Sequence, residues 1–216
     1  ESCINIVEVK ATTSNKYINM TYGKRGDIKF PLFVKNDDIY KISPCVSIDS
    51  EIKKSYDEKI KKLLNRFTSV GKYIYDLAVQ RYIISHDKNV IKKVNYYLAV
   101  LNSSYIYDGY MENGKRIYRK INDENVISLF DFNDITLKYQ DLIEKERINL
   151  ETNLKNEETN CKVGCYCFLN EPCECIYKNI CFKDVPEHDA SFNYLNFRTF
   201  KDKKGNSYDK YDLINN

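Results

Sequence analysis

Within CINIVEVKA, residues 3–11, a glutamate and a lysine stand two positions apart in a run rich in β-branched residues. Such a run is short enough for a buried strand, and alternation along a strand puts Glu8 and Lys10 on one face with Val7 and Val9 on the other. A carboxylate and an ammonium placed this way reach the same small volume. The chemistry that pair could do is metal-dependent phosphodiester hydrolysis. Glu8 and the Val9 carbonyl would ligate Mg²⁺ or Mn²⁺, hard cations that take oxygen. Lys10 would orient the attacking water and offset charge at phosphorus. A site of this kind needs a further carboxylate. The bland alternative is a strand edge whose two charges face water and neutralise each other, which outweighs the functional reading for Glu-x-Lys taken alone.

A second cluster lies near the other end. Six of the eight cysteines, Cys161, Cys165, Cys167, Cys173, Cys175 and Cys181, fall within CKVGCYCFLNEPCECIYKNIC. Disulfides could pair all six, but no secretory signal is visible and the rest of the chain reads as an ordinary core. Structural zinc takes four thiolates from pairs spaced C-x(2–4)-C, and of these gaps only C-x3-C conforms. An iron–sulfur cluster also takes four thiolates and tolerates irregular spacing, because a cluster is wider than one ion. The spacing favours the cluster and leaves zinc open; with six cysteines for four places, at least two are spare, and more if one ligand lies outside this chain.

The elements that must position these residues follow from periodicity. Residues 15–50 mix Tyr, Ile, Phe and Val with breakers at Gly23, Gly26, Pro31 and Pro44, which fits short strands or a hairpin. From Asp49 to Ser85 the pattern turns helical, with Ile60, Leu63, Leu64 and Phe67, then Tyr73, Leu77, Gln80 and Ile84 at spacings of three and four, predicting helix broken or kinked at Gly71. Tyr96 to Leu101 is apolar enough for an interior strand. Asp108-Gly109 predicts a turn, with Arg116–Arg119 returning as an edge strand. Thr136 to about Asn156 predicts a helix capped by Thr136. Strand, helix, strand and helix in that order predict an α/β domain.

The chain has 216 residues, enough for one sizeable domain, and is 43% hydrophobic and 30% charged with 19 Tyr and no Trp. A net charge of +3 does not by itself point to nucleic acid, so any electrostatic case rests on placement. Between Ile52 and Lys72 stand Lys53, Lys54, Lys59, Lys61, Lys62, Arg66 and Lys72 against Asp57 and Glu58. That is most simply a solvated helix face, and in a nuclease it could follow a phosphate backbone. His86 and His188, the two histidines, are assigned no chemistry. No run of 18 apolar residues or signal-peptide order appears, which predicts a cytoplasmic protein with no membrane span. Starting at Glu1 just before a core strand, the chain reads as a piece of a longer one.

Four stretches in order carry a resemblance. IVEVKATTS resembles the Glu-x-Lys strand of PD-(D/E)XK nucleases of the RecB, AddB and Cas-type exonuclease branch, and YIYDLAVQRYII resembles the helix that follows it. With YYLAVLNSSYIYDG and CECIYKNICFKDVPEH, they resemble the nuclease region of bacterial proteins that join such a domain, closed by a cysteine cluster, to a downstream domain of unknown function. The resemblance implies a restriction-endonuclease-like core, a mixed sheet flanked by helices, over residues 1–158, with an insertion at about 15–65. It implies a C-terminal cysteine-cluster segment at 159–190 and a tail or linker to a further domain at 191–216. It implies Glu8 and Val9 as metal ligands, Lys10 as the catalytic lysine, Gln80 on the following helix near the bound strand, and Tyr82 as a further site residue. In that branch the tyrosine stands four after the glutamine, where this chain has Ile84. Cys167, Cys175 and Cys181 match the [4Fe–4S] ligands best, with Cys161, Cys165 or Cys173 for the fourth and Zn²⁺ the alternative occupant. DNA is the implied substrate. The family's aspartate precedes the Glu-x-Lys strand; no Asp stands before Glu8 here, and Asp27 follows it.

Overall fold

The structure is a computed structural model that describes residues 3–24, 26, 29–156, 180, 183 and 199–209. The Glu-x-Lys strand is β1, Ile4–Thr13, followed by a single helical turn α1, Asn15–Ile18. Four short strands come next: β2 (Thr21–Tyr22), β3 (Phe30–Pro31), β4 (Phe33–Asn36) and β5 (Ile39–Ile42). Helices α2 (Ser50–Leu63) and α3 (Gly71–Ser85) lead to β6 (Val94–Leu101), a small hairpin β7 (Met111–Glu112) and β8 (Lys115–Arg116), and β9 (Ile127–Asp131). Helices α4 (Asn133–Lys138) and α5 (Gln140–Lys155) complete the run.

The architecture is mixed α/β, a five-stranded mixed sheet in the order β1-β6-β9-β5-β4 flanked by helices. β6 runs parallel to β1 and antiparallel to β9, while β5 is parallel to β9 and antiparallel to β4. β1 occupies one end of this order, so its second edge has no partner strand among the described residues. Residues 15–65, expected as an insertion, supply β4 and β5 of this sheet as well as α2.

The core is aromatic. Tyr17, Phe33, Phe130 and Phe132 are all buried, with the Tyr17 and Phe130 ring centroids 5.0 Å apart and those of Phe33 and Phe130 at 5.3 Å, edge to face. The Tyr17 hydroxyl donates to the Val70 carbonyl at 3.0 Å, so α1 is fastened to the start of α3. Asp49 caps α2, accepting from the backbone N–H of Glu51 and Ile52 at 2.9 and 3.3 Å. Gly71 does separate two helices, and the reason is space. A Cβ there would lie 2.1 Å from the Asn65 carbonyl oxygen.

Two expectations are corrected. The hairpin turns at Asn113-Gly114, where both φ angles are positive (48° and 74°) as a type I′ turn demands, and not at Asp108-Gly109. Asp108 is engaged otherwise, accepting from the Tyr110 N–H and from Arg119. Thr136 does not cap a helix: it is fully buried within α4 and its hydroxyl donates to the Phe132 carbonyl at 2.8 Å. The start of α4 is set by Asp131, whose carboxylate accepts the Asn133 N–H at 3.0 Å.

The chain divides into two compact units, Glu1–Ile148 and Asn149–Asn216. Within the second, β10 (Thr199–Lys201) and β11 (Ser207–Asp209) form an antiparallel hairpin inside the stretch expected as a tail. Its turn is organised by the Asp202 carboxylate, which accepts the N–H groups of Lys204 and Asn206 at 2.8 Å each. The six clustered cysteines and His188 lie outside the described residues. No helix among the described residues is long and apolar enough to cross a membrane.

Candidate active site

Register decides which way the Glu-x-Lys pair faces. Ile6, Glu8 and Lys10 stand opposite Tyr96, Leu98 and Val100 of β6. Those three residues are 3%, 0% and 1% exposed, so the face that carries Glu8 and Lys10 is the one covered by helices. Val7 and Val9, on the other face, are the exposed pair. A strand that merely balanced two charges in water would be oriented the other way round.

Helix α3 meets the pair. Tyr73, Asp76 and Gln80 stand at i, i+3 and i+7 and share one face of it. The Lys10 ammonium lies 2.8 Å from Glu8 Oε1 and 2.7 Å from Asp76 Oδ2, with the Lys10 and Glu8 side chains 24% and 19% exposed. Gln80 Nε2 donates to the other oxygen, Glu8 Oε2, at 2.5 Å. Both Glu8 oxygens are therefore held, one by a strand neighbour and one by the helix.

The electrostatics follow from the geometry. Burial pushes the Glu8 carboxyl up, but the hydrogen bonds from Lys10 and Gln80 and the Lys10 charge outweigh it and hold the group below the ordinary glutamate value. Burial likewise pulls the Lys10 ammonium down, and is outweighed by the hydrogen bonds to Asp76 and Glu8 and by their charges, leaving it above the ordinary lysine value. Glu8 is thus an anion and Lys10 a cation throughout the neutral range. Lys10 can stabilise negative charge and orient a hydrogen-bonding partner; it cannot act as a base there.

Sequence reasoning placed Glu8, Lys10 and Gln80, and the structure brings these three together. Asp76 was missed. The available signal was its spacing, one helical turn before Gln80 in YDLAVQ, which puts both on the same helical face. Tyr82 is not brought to the cluster. Two residues past Gln80 it is turned about 200° around the helix, its hydroxyl donates to Glu144 of α5, and its ring packs on His86 at 4.2 Å.

Val9 offers its backbone. The Ile4 N–H bonds the Lys93 carbonyl at 2.9 Å, so the even-numbered residues of β1 direct their peptide groups towards β6. By alternation the Val9 carbonyl points to the open edge of the sheet, next to Glu8. Glu8, Asp76 and this carbonyl are oxygen donors of the kind Mg²⁺ accepts, since that ion is held through one or two carboxylates with water and substrate phosphate completing its shell. Among the described residues no group of three or more His, Cys, Asp or Glu is assembled. The donor set thus fits a sparsely held hard cation rather than a closed metal cage.

The opposite flank of α3 carries a second polar network. Arg66 bonds Glu146 at 2.7 Å and the Tyr75 hydroxyl at 3.2 Å, and that hydroxyl donates to Glu146. Arg147 pairs with Glu144 at 2.8 Å, beside Tyr82.

No family model, curated protein or solved structure matches this chain. The fold and the site together define a mixed α/β protein with a half-buried carboxylate–lysine–carboxylate cluster on the helix-covered face of an edge strand.

Proposed function

We propose that this chain is the core of a metal-dependent nuclease of the PD-(D/E)XK type, with a restriction-endonuclease-like fold, that hydrolyses DNA phosphodiesters. The observation that carries the reading is the contact of Gln80 with Glu8. A glutamine picked out on a helix 72 residues away, from resemblance alone, donates to the same carboxylate that is paired with Lys10.

Glu8, the Val9 carbonyl and Asp76 would hold Mg²⁺ or Mn²⁺. The bound cation would supply Lewis-acid stabilisation of charge on the phosphoryl oxygens. The remaining roles belong to the protein. Gln80 fixes the rotamer of Glu8 through Oε2. Lys10, kept protonated by two carboxylates, offsets charge that develops at phosphorus and orients the water that attacks it. Asp76 positions Lys10. The six cysteines offer more than the four thiolates that an iron–sulfur cluster needs, and hydrolysis requires no electron transfer, so such a cluster serves as a structural staple.

The test is degradation of DNA by the 216-residue chain with Mg²⁺ or Mn²⁺ present. Loss of degradation in Lys10→Ala with circular dichroism unchanged supports the reading, and unchanged degradation in that variant sinks it. Metal-independent binding without any hydrolysis would instead favour a non-catalytic, metal-stapled nucleic-acid-binding module. The lack of a third carboxylate among the described residues is the observation on that side.

A further inference from the structure

Three ammonium groups gather round one ring beside the candidate active site. The Nζ atoms of Lys16, Lys72 and Lys10 lie 4.5, 4.8 and 5.3 Å from the centroid of Tyr73. The fold enforces this meeting. Tyr17 fastens α1 to the carbonyl of Val70, which delivers Lys16 to the first turn of α3, where Lys72 and Tyr73 stand. Tyr73 in turn shares its helical face with Asp76 and Gln80.

The three cations differ in one respect. Lys10 is neutralised by Glu8 and Asp76. Lys16 and Lys72 have no ion-pair partner among the described residues, although like charges held together on a half-covered surface repel. Burial, and then the charge of Lys72, hold the Lys16 ammonium below the ordinary lysine value. The ring offsets part of the cost through cation–π attraction, and no carboxylate among the described residues completes the job. With cations already ranged about the Tyr73 ring, a stacked base is disfavoured and a compact phosphate is favoured, which meets ammonium groups as point charges.

We propose that Lys16 and Lys72, mounted on Tyr73, form a subsite for a backbone phosphate of a nucleic acid strand, adjoining the Glu8–Lys10 cluster. The proposal rests on the nuclease reading for its choice of ligand, while its contacts are independent of catalysis. A phosphate bound there is not the one attacked; it sets the register of the strand and carries no base preference.

Binding of a fluorescein-labelled oligo-dT to the 216-residue chain, followed by anisotropy in EDTA across a NaCl series, tests it without hydrolysis. The double variant Lys16→Gln/Lys72→Gln keeps polar side chains on shorter stems and removes both charges. Each phosphate contact to a single strand contributes about 0.7 to the slope of log K against log salt, so loss of this one contact should make the slope shallower by roughly 0.7. The control Lys92→Gln/Lys93→Gln removes the same charge from exposed positions just before β6 and should leave the slope within about 0.3 of wild type. Equal slopes in wild type and the Lys16/Lys72 variant, or an equal loss in both variants, overturn the subsite. Absence of Mg²⁺-dependent hydrolysis, with the slope difference intact, would overturn the nuclease reading and leave the phosphate subsite standing.

Discussion

Helix α3 presents two polar flanks built from similar parts, and they are put to different ends. Towards α5, Tyr75 meets Glu146 with Arg66, and two turns on Tyr82 meets Glu144 with Arg147. Towards β1, Tyr73, Asp76 and Gln80 meet Lys10 and Glu8, with Lys16 and Lys72 alongside. Both flanks hold carboxylates and cations at hydrogen-bonding distance; the phenols of the α5 side join the hydrogen bonds, while Tyr73 on the β1 side meets its lysines through the ring. On the α5 flank every carboxylate has an arginine and a hydroxyl, so the network closes on itself and fastens one helix to another. On the β1 flank lysines outnumber carboxylates, and the cluster lies beside the open edge of a sheet. A surplus of one charge beside an open edge, not the presence of ion pairs, is what marks a place for a ligand. The flanks should therefore separate under mutation, the β1 side losing catalysis and the α5 side losing stability.

The largest effect is expected at Asp76, where Asp76→Asn removes one of the two carboxylates that hold the Lys10 ammonium. With Lys10 free to leave its position, kcat for DNA hydrolysis should fall by about 10–10²-fold, the scale of a misplaced catalytic group, with little change in thermal midpoint. The sign of the pH effect is fixed as well. Asp76 and Glu8 raise the Lys10 pKa, so loss of Asp76 lowers it, and the alkaline limb of the pH–rate profile should move to lower pH. Asp76→Glu should recover part of the rate. A variant with wild-type kcat and an unmoved alkaline limb would show that Asp76 is no more than a surface carboxylate.

A smaller effect, of the opposite kind, is expected across α3. Arg66 and Glu146 are both about 30% exposed, so solvent screens their pair, and a double-mutant cycle of Arg66→Ala and Glu146→Ala should give a coupling of about 1 kcal/mol or less. Each single variant should lower stability, because it leaves the surviving charge with Tyr75 as its one remaining partner in the network. Hydrolysis measured below the melting range should be unchanged. If Arg66→Ala abolished turnover while the fold persisted, the division of the two flanks would be wrong.

What the sequence disclosed about these flanks depended on periodicity. β1, the two helices broken at Gly71, and β6 were legible because their apolar residues recur at strand or helix spacing over seven or more positions. β9 was not: ISLFD is five residues between polar segments, and only its pairing with β6 and β5 makes it a strand. The contribution of residues 15–65 to the sheet was hidden for the same reason, since β4 and β5 are four residues each and gain their stability from neighbours. At the site, Glu8, Lys10 and Gln80 could be named because a motif selects them. Asp76 required knowing that the helix lies on the strand, and Lys16 and Lys72 required knowing that Tyr17 ties α1 to Val70. Contacts between residues tens of positions apart are properties of packing, and no local pattern encodes them.

Tyr82 should give the smallest effect, and it decides between motif and geometry. By resemblance it belongs with the site; by position it stands on the α5 flank with its hydroxyl on Glu144. Hydrogen bonds from Arg147 and then Tyr82 hold the Glu144 carboxyl down to about 2. A folded-state pKa depressed below the unfolded value contributes stability above about pH 4.3 that is lost as pH falls towards 2. Tyr82→Phe removes one of the groups responsible and leaves Arg147, so the acid limb of the stability curve should move slightly to higher pH. Neither kcat nor KM for DNA should change, because the ring stays packed on His86 and no atom near Glu8 is touched. A fall in kcat without that acid shift would mean that the hydroxyl leaves Glu144 for the β1 flank when substrate binds, and the closed network would then be a resting arrangement of the site.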